Sequence, residues 1–291
     1  PDKELDRVNH IAVTGAQTGA VFLTYRADPA IDALIARCQA TEPAYDFTGD
    51  DGISHTLYVV AEPALINAIA QAFAGVPALY IADGHHRSAA AARVRERRRA
   101  ENPGHTGEED YNRFLAVIFP HDQVQIMAYN RVVETLGGRS PAEFCQAVGE
   151  KFRVEEYRAG ACKPEAAHTF GMYLAGRWYK LTARPEFLPA GDPVARLDVS
   201  ILQDNILGPL LGVADPRTDK HINFVGGIRG MAELERLVDS GRYAVAFSLY
   251  PTSVTELMDI ADRGAVMPPK STWFEPKLRD AMVVHLIGQR A

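Results

Sequence analysis

Pro77-Ala78-Leu79-Tyr80-Ile81-Ala82-Asp83-Gly84-His85-His86-Arg87-Ser88, running on into Ala89–Ala92, is the stretch on which the reading of this chain turns. An apolar run of strand length stops at Asp-Gly, and an alanine-rich helix former follows almost at once. In a strand, tight loop and helix arranged this way, the first N–H groups of the helix lack intrahelical partners and face any anion beyond them. Arg87 adds a planar fork that suits phosphate or carboxylate bidentately. His85 and His86 add the side chains that most readily exchange protons near neutral pH.

Two blander readings compete at this point. A plain helix start, with Asp83 as the cap and His86 in solvent, explains Asp-Gly by itself. It leaves His-His-Arg at the positive end of a helix without a purpose, so the anion site is the reading carried forward. A metal held by Asp83, His85 and His86 fits less well. Adjacent helical residues point about 100° apart, and the spacing matches no HExxH or other zinc pattern. Arg93, Arg95, Arg97, Arg98 and Arg99 end the same helix, where the macrodipole favours cations, and Glu96 lies among them. Nucleic acid is not needed to explain them. The sequence contains no GxxxxGK[ST], GxGxxG or GxSxG motif, so a nucleotide would be held by some other loop.

A length of 291 residues allows one large domain or two ordinary ones with ample core. Apolar residues at 47% and charged residues at 23% are ordinary for a globular chain. The net charge of −6 argues against broad binding to nucleic acid or an anionic membrane. Cys38, Cys145 and Cys162 are odd in number and form no CxxC pair, which predicts buried, reduced thiols and a cytoplasmic protein. No signal peptide is expected, and no apolar run approaches the roughly 18 residues of a membrane span.

Taken in order, the chain predicts a strand at Val21–Tyr25 and a helix opened by Asp28-Pro29 that runs to about Gln39. A hairpin is expected around Gly49-Asp50-Asp51-Gly52, then a helix from Glu62 to about Ala74 with Pro63 at its first position. After the central strand and its helix, Phe114–Phe119 is unbroken apolar sequence, the mark of a strand buried on both faces. Gly137-Gly138-Arg139-Ser140-Pro141 is the expected domain boundary, giving an α/β domain over 1–136 and a second α/β lobe over 137–291. Ser140 should cap a helix reaching about Glu150. A second hairpin is expected about Ala175-Gly176-Arg177, and a helix over Leu197–Leu211 interrupted at Gly208-Pro209. Then come a strand at Ile222–Val225, a helix at Met231–Asp239, a strand at Tyr243–Leu249 and a helix from Thr252 to Ala261, with Glu256 placed for a capping box. The fold class is α/β, mixed α+β, with mixed sheets and flanking helices.

The second unusual stretch is Met267-Pro268-Pro269-Lys270-Ser271-Thr272-Trp273-Phe274-Glu275-Pro276-Lys277. Its Lys270 and the hydroxyls of Ser271 and Thr272 could hold phosphate, and its aromatics could wall a pocket. A loop packing those aromatics on the core explains the same residues, and both readings stay open.

Ala-Asp-Gly-His-His-Arg, Leu197-Asp198-Val199-Ser200, Phe224-Val225-Gly226-Gly227 and Met-Pro-Pro-Lys-Ser-Thr together resemble a prokaryotic conserved family of unknown function. That family is distantly similar to the archaeal free-serine kinase and to the ParB/sulfiredoxin superfamily. The resemblance implies a ParB/sulfiredoxin-like core in which Asp83–Arg87 is the phosphate-binding and catalytic loop. Family members carry a longer N-terminal portion, with a His-Glu pair ahead of a segment like Lys3–Arg7. In the kinase relatives an acidic residue of that portion is the base, and no residue here is matched to it.

The expected function is therefore a phosphotransferase-like enzyme acting on a small hydroxy or phosphorylated metabolite, serine or phosphoserine by resemblance. Asp83, His85 and His86 are the catalytic candidates. Gly84, His86, Arg87, Ser88, Lys270, Ser271 and Thr272 are the phosphate- and nucleotide-binding candidates. A nucleoside phosphate, ATP or ADP, with Mg²⁺ would be the partner, and no protein metal site is expected. A non-catalytic nucleotide- or metabolite-sensing module is the alternative. The Met267–Lys277 stretch is expected near the Asp83–Arg87 loop, and the sequence leaves the oligomeric state open.

Overall fold

A computed structural model describes residues 2–279 and 282–288. The architecture is mixed α+β, with five separate sheets among the described residues and helices distributed along the chain. It divides into two compact units, one of Pro1–Val124 with Lys277–Ala291 and one of Gln125–Pro276.

In the first unit, Val21–Tyr25 is the middle strand of a three-stranded sheet, antiparallel to Tyr80–Asp83 and parallel to Ala116–Pro120. All five of its residues are buried. The sheet thus centres on Val21–Tyr25, and the strand ahead of Asp-Gly lies at an edge. Ala116–Pro120 forms the other edge, which corrects the expectation of a strand buried on both faces. Ile118 keeps 36% of its surface in solvent and only Pro120 of the strand is buried, because an edge strand has a neighbour on one side only. The helix Pro29–Gln39 starts at Asp28, whose carboxylate accepts the Ala30 N–H at 2.8 Å. Pro63–Ala74 follows the hairpin of Tyr45–Thr48 and Ser54–Leu57, as the sequence predicts.

An N-terminal helix, Asp2–Thr14, was not anticipated. Its Ile11 is buried with Ala90 and Val94 of the helix His85–Glu101 and with Ile287. The returning C-terminal segment pairs His285–Leu286 with Ala16–Gln17, and the Ile287 N–H donates to the Gly15 carbonyl at 2.8 Å.

The second unit is built on a six-stranded antiparallel sheet. Its order is Ile222–Gly226, Tyr129–Val133, Val245–Leu249, Thr169–Leu174, Arg177–Ala183 and Phe152–Tyr157. Alternation along the strands feeds two cores, since successive side chains point to opposite faces. Val133, Met172 and Phe247 pack on one face with the helices Pro141–Gly149 and Asp198–Leu202. Val132, Tyr173 and Ala246 pack on the other with Met231–Asp239. The predicted boundary at Gly137–Pro141 therefore falls inside this unit, because Tyr129–Val133 is an interior strand of its sheet.

Ser140 and Ser253 both form capping boxes, with Glu143 and Glu256. The predicted helix over Leu197–Leu211 continues as a π-helical turn, Gln203–Leu207, then Gly208–Leu211, and stops at Gly212 with φ +74°. Pro209 has no N–H to give, and the Gly208 N–H reaches back five residues to the Gln203 carbonyl. Cys38, Cys145 and Cys162 are free thiols, and burial pushes the pKa values of the latter two up.

Candidate functional site

The strand Tyr80–Asp83 ends where Gly84 turns the chain at φ +97°, and the helix begins at His85. Only glycine adopts that left-handed conformation without steric cost. Gly84 occupies the N-cap position and supplies no side-chain hydrogen bond. The Asp83 carboxylate accepts the N–H of Gly84 itself, at 2.7 Å, and so is not the cap of the helix. The first turn, His85-His86-Arg87, thus has its N–H groups uncapped by any side chain, at the positive end of a 17-residue helix.

Arg87 folds back across this turn. A Cβ on Gly84 would lie 2.9 Å from the Arg87 Nε, and one on Gly19 would lie 3.4 Å from its Cδ. Nη2 of Arg87 stands 3.7 Å from Oδ2 of Asp83. The guanidinium lines a cavity of about 480 Å³ together with Arg7, His10, Gln17 and Thr18. His85 and His86 are exposed on the first turn and are not part of that lining. Ser88 is half-buried, its N–H closing the first helical bond to the Gly84 carbonyl at 2.9 Å.

Sequence reasoning missed Arg7, His10, Gln17 and Thr18. Gln17 is buried and fixed from both ends: its carbonyl accepts the Leu115 N–H at 2.7 Å and its amide donates to the Arg113 carbonyl at 3.4 Å. Glu4 holds Arg93 at 2.6 Å, which ties the N-terminal helix to the helix of Arg87. The available signal was Val8 and Ile11, one turn apart, which face that neighbour while Arg7 and His10 face the cavity.

The second candidate stretch belongs to the other unit up to Pro276. Ser271 is buried, and its hydroxyl donates to the Pro268 carbonyl at 2.6 Å. Thr272 is half-buried. Lys270 is exposed, with φ +57° and Nζ 5.9 Å from the centre of the Tyr129 ring. Trp273–Glu275 pairs with Gln125–Met127, and Phe274 is buried. The Trp273 ring lies so close to Gly226 that a Cβ there would be 2.9 Å from it. Gly227 lets the Ala128 backbone approach, accepting no side chain where a Cβ would be 3.0 Å from the Ala128 carbonyl. Thus Gly226 of Phe-Val-Gly-Gly is the seat of the Trp that follows Pro-Pro-Lys-Ser-Thr, and Gly227 makes room for the neighbouring backbone. The aromatics of this stretch pack on its own unit, while Pro268 and Pro269 line a cavity shared with Arg131.

Asp198 of the Leu-Asp-Val-Ser motif is buried at the start of its helix. Its Oδ1 accepts the His168 N–H at 2.8 Å and lies 3.2 Å from the His168 Nδ1, while Oδ2 is buried without a hydrogen-bond partner. Burial pushes this carboxyl up to about 6, against the pull of His168.

Among the described residues, no group of three or more His, Cys, Asp or Glu side chains comes together to hold a metal ion. None of their helices is long and apolar enough to cross a membrane.

Of the first helical turn after Gly84, Arg87 alone lines the cavity it shares with Arg7 and His10, and its side chain lies back over the uncapped helix start. The chain belongs to the family described as "Protein of unknown function (DUF1015)", whose model matches residues 1–200. No curated protein matches it. Among solved structures it is similar to a conserved hypothetical protein from Pyrococcus furiosus, at 15% identity and a TM-score of 0.42, over 96% of this chain and 85% of that one. It is similar also to a free serine kinase in complex with AMP, at 15% identity and a TM-score of 0.41, over 94% and 79% of the two chains. SbnI with C-terminal truncation, from Staphylococcus aureus, gives 11% identity and a TM-score of 0.44, over 94% and 75%.

Proposed function

We propose that the first unit is a phosphate-handling site and that the protein is a phosphotransferase-like enzyme using a nucleoside phosphate. The observation that carries this reading is Arg87, folded over the uncapped helix start and exposed to the same cavity as Arg7 and His10. Phosphoryl transfer calls above all for positioning and charge neutralisation, which the helix N–H groups and the Arg87 guanidinium would supply, while Arg7 shares the lining with Asp6, its ion-pair partner at 3.1 Å. His10 is the imidazole in the cavity lining, and His86 and His85 would act from the first turn on a ligand reaching beyond it. Asp83 would orient an acceptor hydroxyl from the turn. Mg²⁺ would be carried by the nucleotide phosphates, whose charge it offsets, with no protein cluster required to hold it. Serine or phosphoserine is the substrate that the sequence resemblance favours.

A second reading is a nucleotide-sensing module that binds without turnover. It is favoured by Asp83, which is committed to the Gly84 N–H, and by the two histidines standing outside the cavity lining. The two readings separate in one experiment. Melting curves with AMP, ADP and ATP, with and without Mg²⁺, are followed by ³¹P NMR of the binding nucleotide with serine or phosphoserine added. Stabilisation with phosphoryl transfer supports the enzyme, and stabilisation without nucleotide consumption supports the sensor. Absence of any nucleotide effect removes both.

A further inference from the structure

Arg131 lies in the interior strand Tyr129–Val133, opposite Phe224 on one side and Phe247 on the other. Its surface is 3% exposed. The guanidinium donates to the Tyr129 and Lys270 carbonyls, the latter at 3.0 Å, and lies 5.2 Å over the Phe224 ring. Among the described residues no carboxylate pairs with it. A cation removed from water in this way normally has a counter-charge, because two carbonyl dipoles replace only part of its hydration. Burial pushes its pKa down to about 9, which leaves it charged at neutral pH.

The same side chain lines a cavity of about 560 Å³, walled by Val199, Gln203, Ala214, Pro268 and Pro269. Three carboxylates edge that space, and they bear on what could enter it. Asp192 accepts the Val194 and Ala195 N–H groups at 2.9 and 3.2 Å. Asp215 is paired with Arg217 at 2.8 Å, and Asp204 is exposed. None of the three reaches Arg131 as an ion pair; Arg217, which also lines the space, balances Asp215, and the remaining Asp192 and Asp204 would repel a polyphosphate. The ligand that fits is small and singly charged.

We propose that Arg131 anchors a second anion site, in the unit Gln125–Pro276, that takes the carboxylate of a small metabolite. The planar guanidinium matches a carboxylate in geometry as well as charge. The bound carboxylate supplies the counter-charge that the fold withholds. The bond from Arg131 to the Lys270 carbonyl holds the segment whose Pro268 and Pro269 form one wall of this cavity. This site stands whether or not Arg87 binds phosphate.

The test is thermal melting of the full chain in acetate against chloride at equal ionic strength, with inorganic phosphate as a separate arm. Wild type should melt higher in acetate than in chloride. That acetate-specific rise should vanish in Arg131→Met. It should vanish also in Ala214→Trp, which crowds the cavity while leaving Arg131 and its two carbonyl bonds in place, so a misfolded Arg131 variant does not void the test. No acetate-specific rise in wild type, or one that survives in Ala214→Trp, overturns the proposal. A rise in phosphate with none in acetate overturns the carboxylate assignment.

Discussion

Gly84 and Arg87 share one volume: a Cβ on the glycine would stand 2.9 Å from the Nε of the arginine three residues on. The left-handed turn, at φ +97°, and the bare α-carbon together allow the guanidinium to lie back over the helix start. Gly84→Ala meets both obstacles. The backbone conformation alone costs about 1–2 kcal/mol, and the methyl displaces Arg87. Chemical denaturation should show that loss, and calorimetry should show weaker binding of ADP. A Gly84→Ala protein that binds ADP as tightly as wild type would separate Arg87 from the ligand.

Arg87→Lys keeps the charge and removes the fork. Charge-assisted hydrogen bonds contribute about 1.5–3 kcal/mol each, so nucleotide or phosphate affinity should fall on the order of tenfold or more. The melting temperature should hardly move, since the side chain lines a cavity and not a core. Undiminished affinity in calorimetry would remove Arg87 from the site.

Asp83→Asn separates two roles for the carboxylate. The amide oxygen can still accept the Gly84 N–H, so the turn and the melting temperature should be preserved. If Asp83 orients an acceptor hydroxyl, turnover drops while nucleotide binding stays. Full turnover in the variant would leave Asp83 a purely structural turn residue.

Asp198 should leave its mark on the pH dependence of stability. Its folded pKa is raised, from 3.8 to about 6, chiefly by burial. Between those values the folded chain holds a proton that the unfolded chain has lost, so stability falls as pH rises through this window. The full loss, on the order of 3 kcal/mol, is present above pH 6. Asp198→Asn retains an acceptor for the His168 N–H and carries no charge. Its melting temperature relative to wild type should therefore climb from pH 4 to pH 7. A difference that stays flat across that range would mean that the buried carboxyl is compensated.

Gly226→Ala should unseat Trp273, whose ring occupies the space of the new methyl. Overpacking of this kind costs about 1–3 kcal/mol. The chain has two tryptophans, so emission is best read in a Trp178→Phe background. The Trp273 band should shift to the red as the ring enters water. An unchanged band would show that the segment Trp273–Glu275 adjusts around the methyl without leaving its seat.

Much of the candidate site was legible because it was local. An apolar run, Asp-Gly and an alanine-rich segment dictate a strand, a tight turn and a helix in that order, whatever surrounds them. The left-handed glycine and the uncapped first turn follow from the same few residues. The capping boxes at Ser140 and Ser253 are local too, since each needs only a serine and a glutamate three residues apart. The fold class came from the same source, as hairpin turns and helix starts repeat along the sequence.

What the sequence did not contain was which elements meet. Phe114–Phe119 has the composition of an interior strand, yet Ala116–Pro120 ends at a sheet edge because hydrophobicity does not encode the number of neighbours. The cavity beside Arg87 needs the helix Asp2–Thr14, which is held there by Ile11 packing on Ala90 and Val94, more than seventy positions away on the scale of the numbering. Arg131 reads as one more arginine in an apolar strand. Only the sheet order, with Ile222–Gly226 on one side and Val245–Leu249 on the other, buries it. Hydrogen bonds between neighbours in sequence set the turns and helix starts; long-range strand pairing and burial decided which charges face a cavity and which are left without a partner.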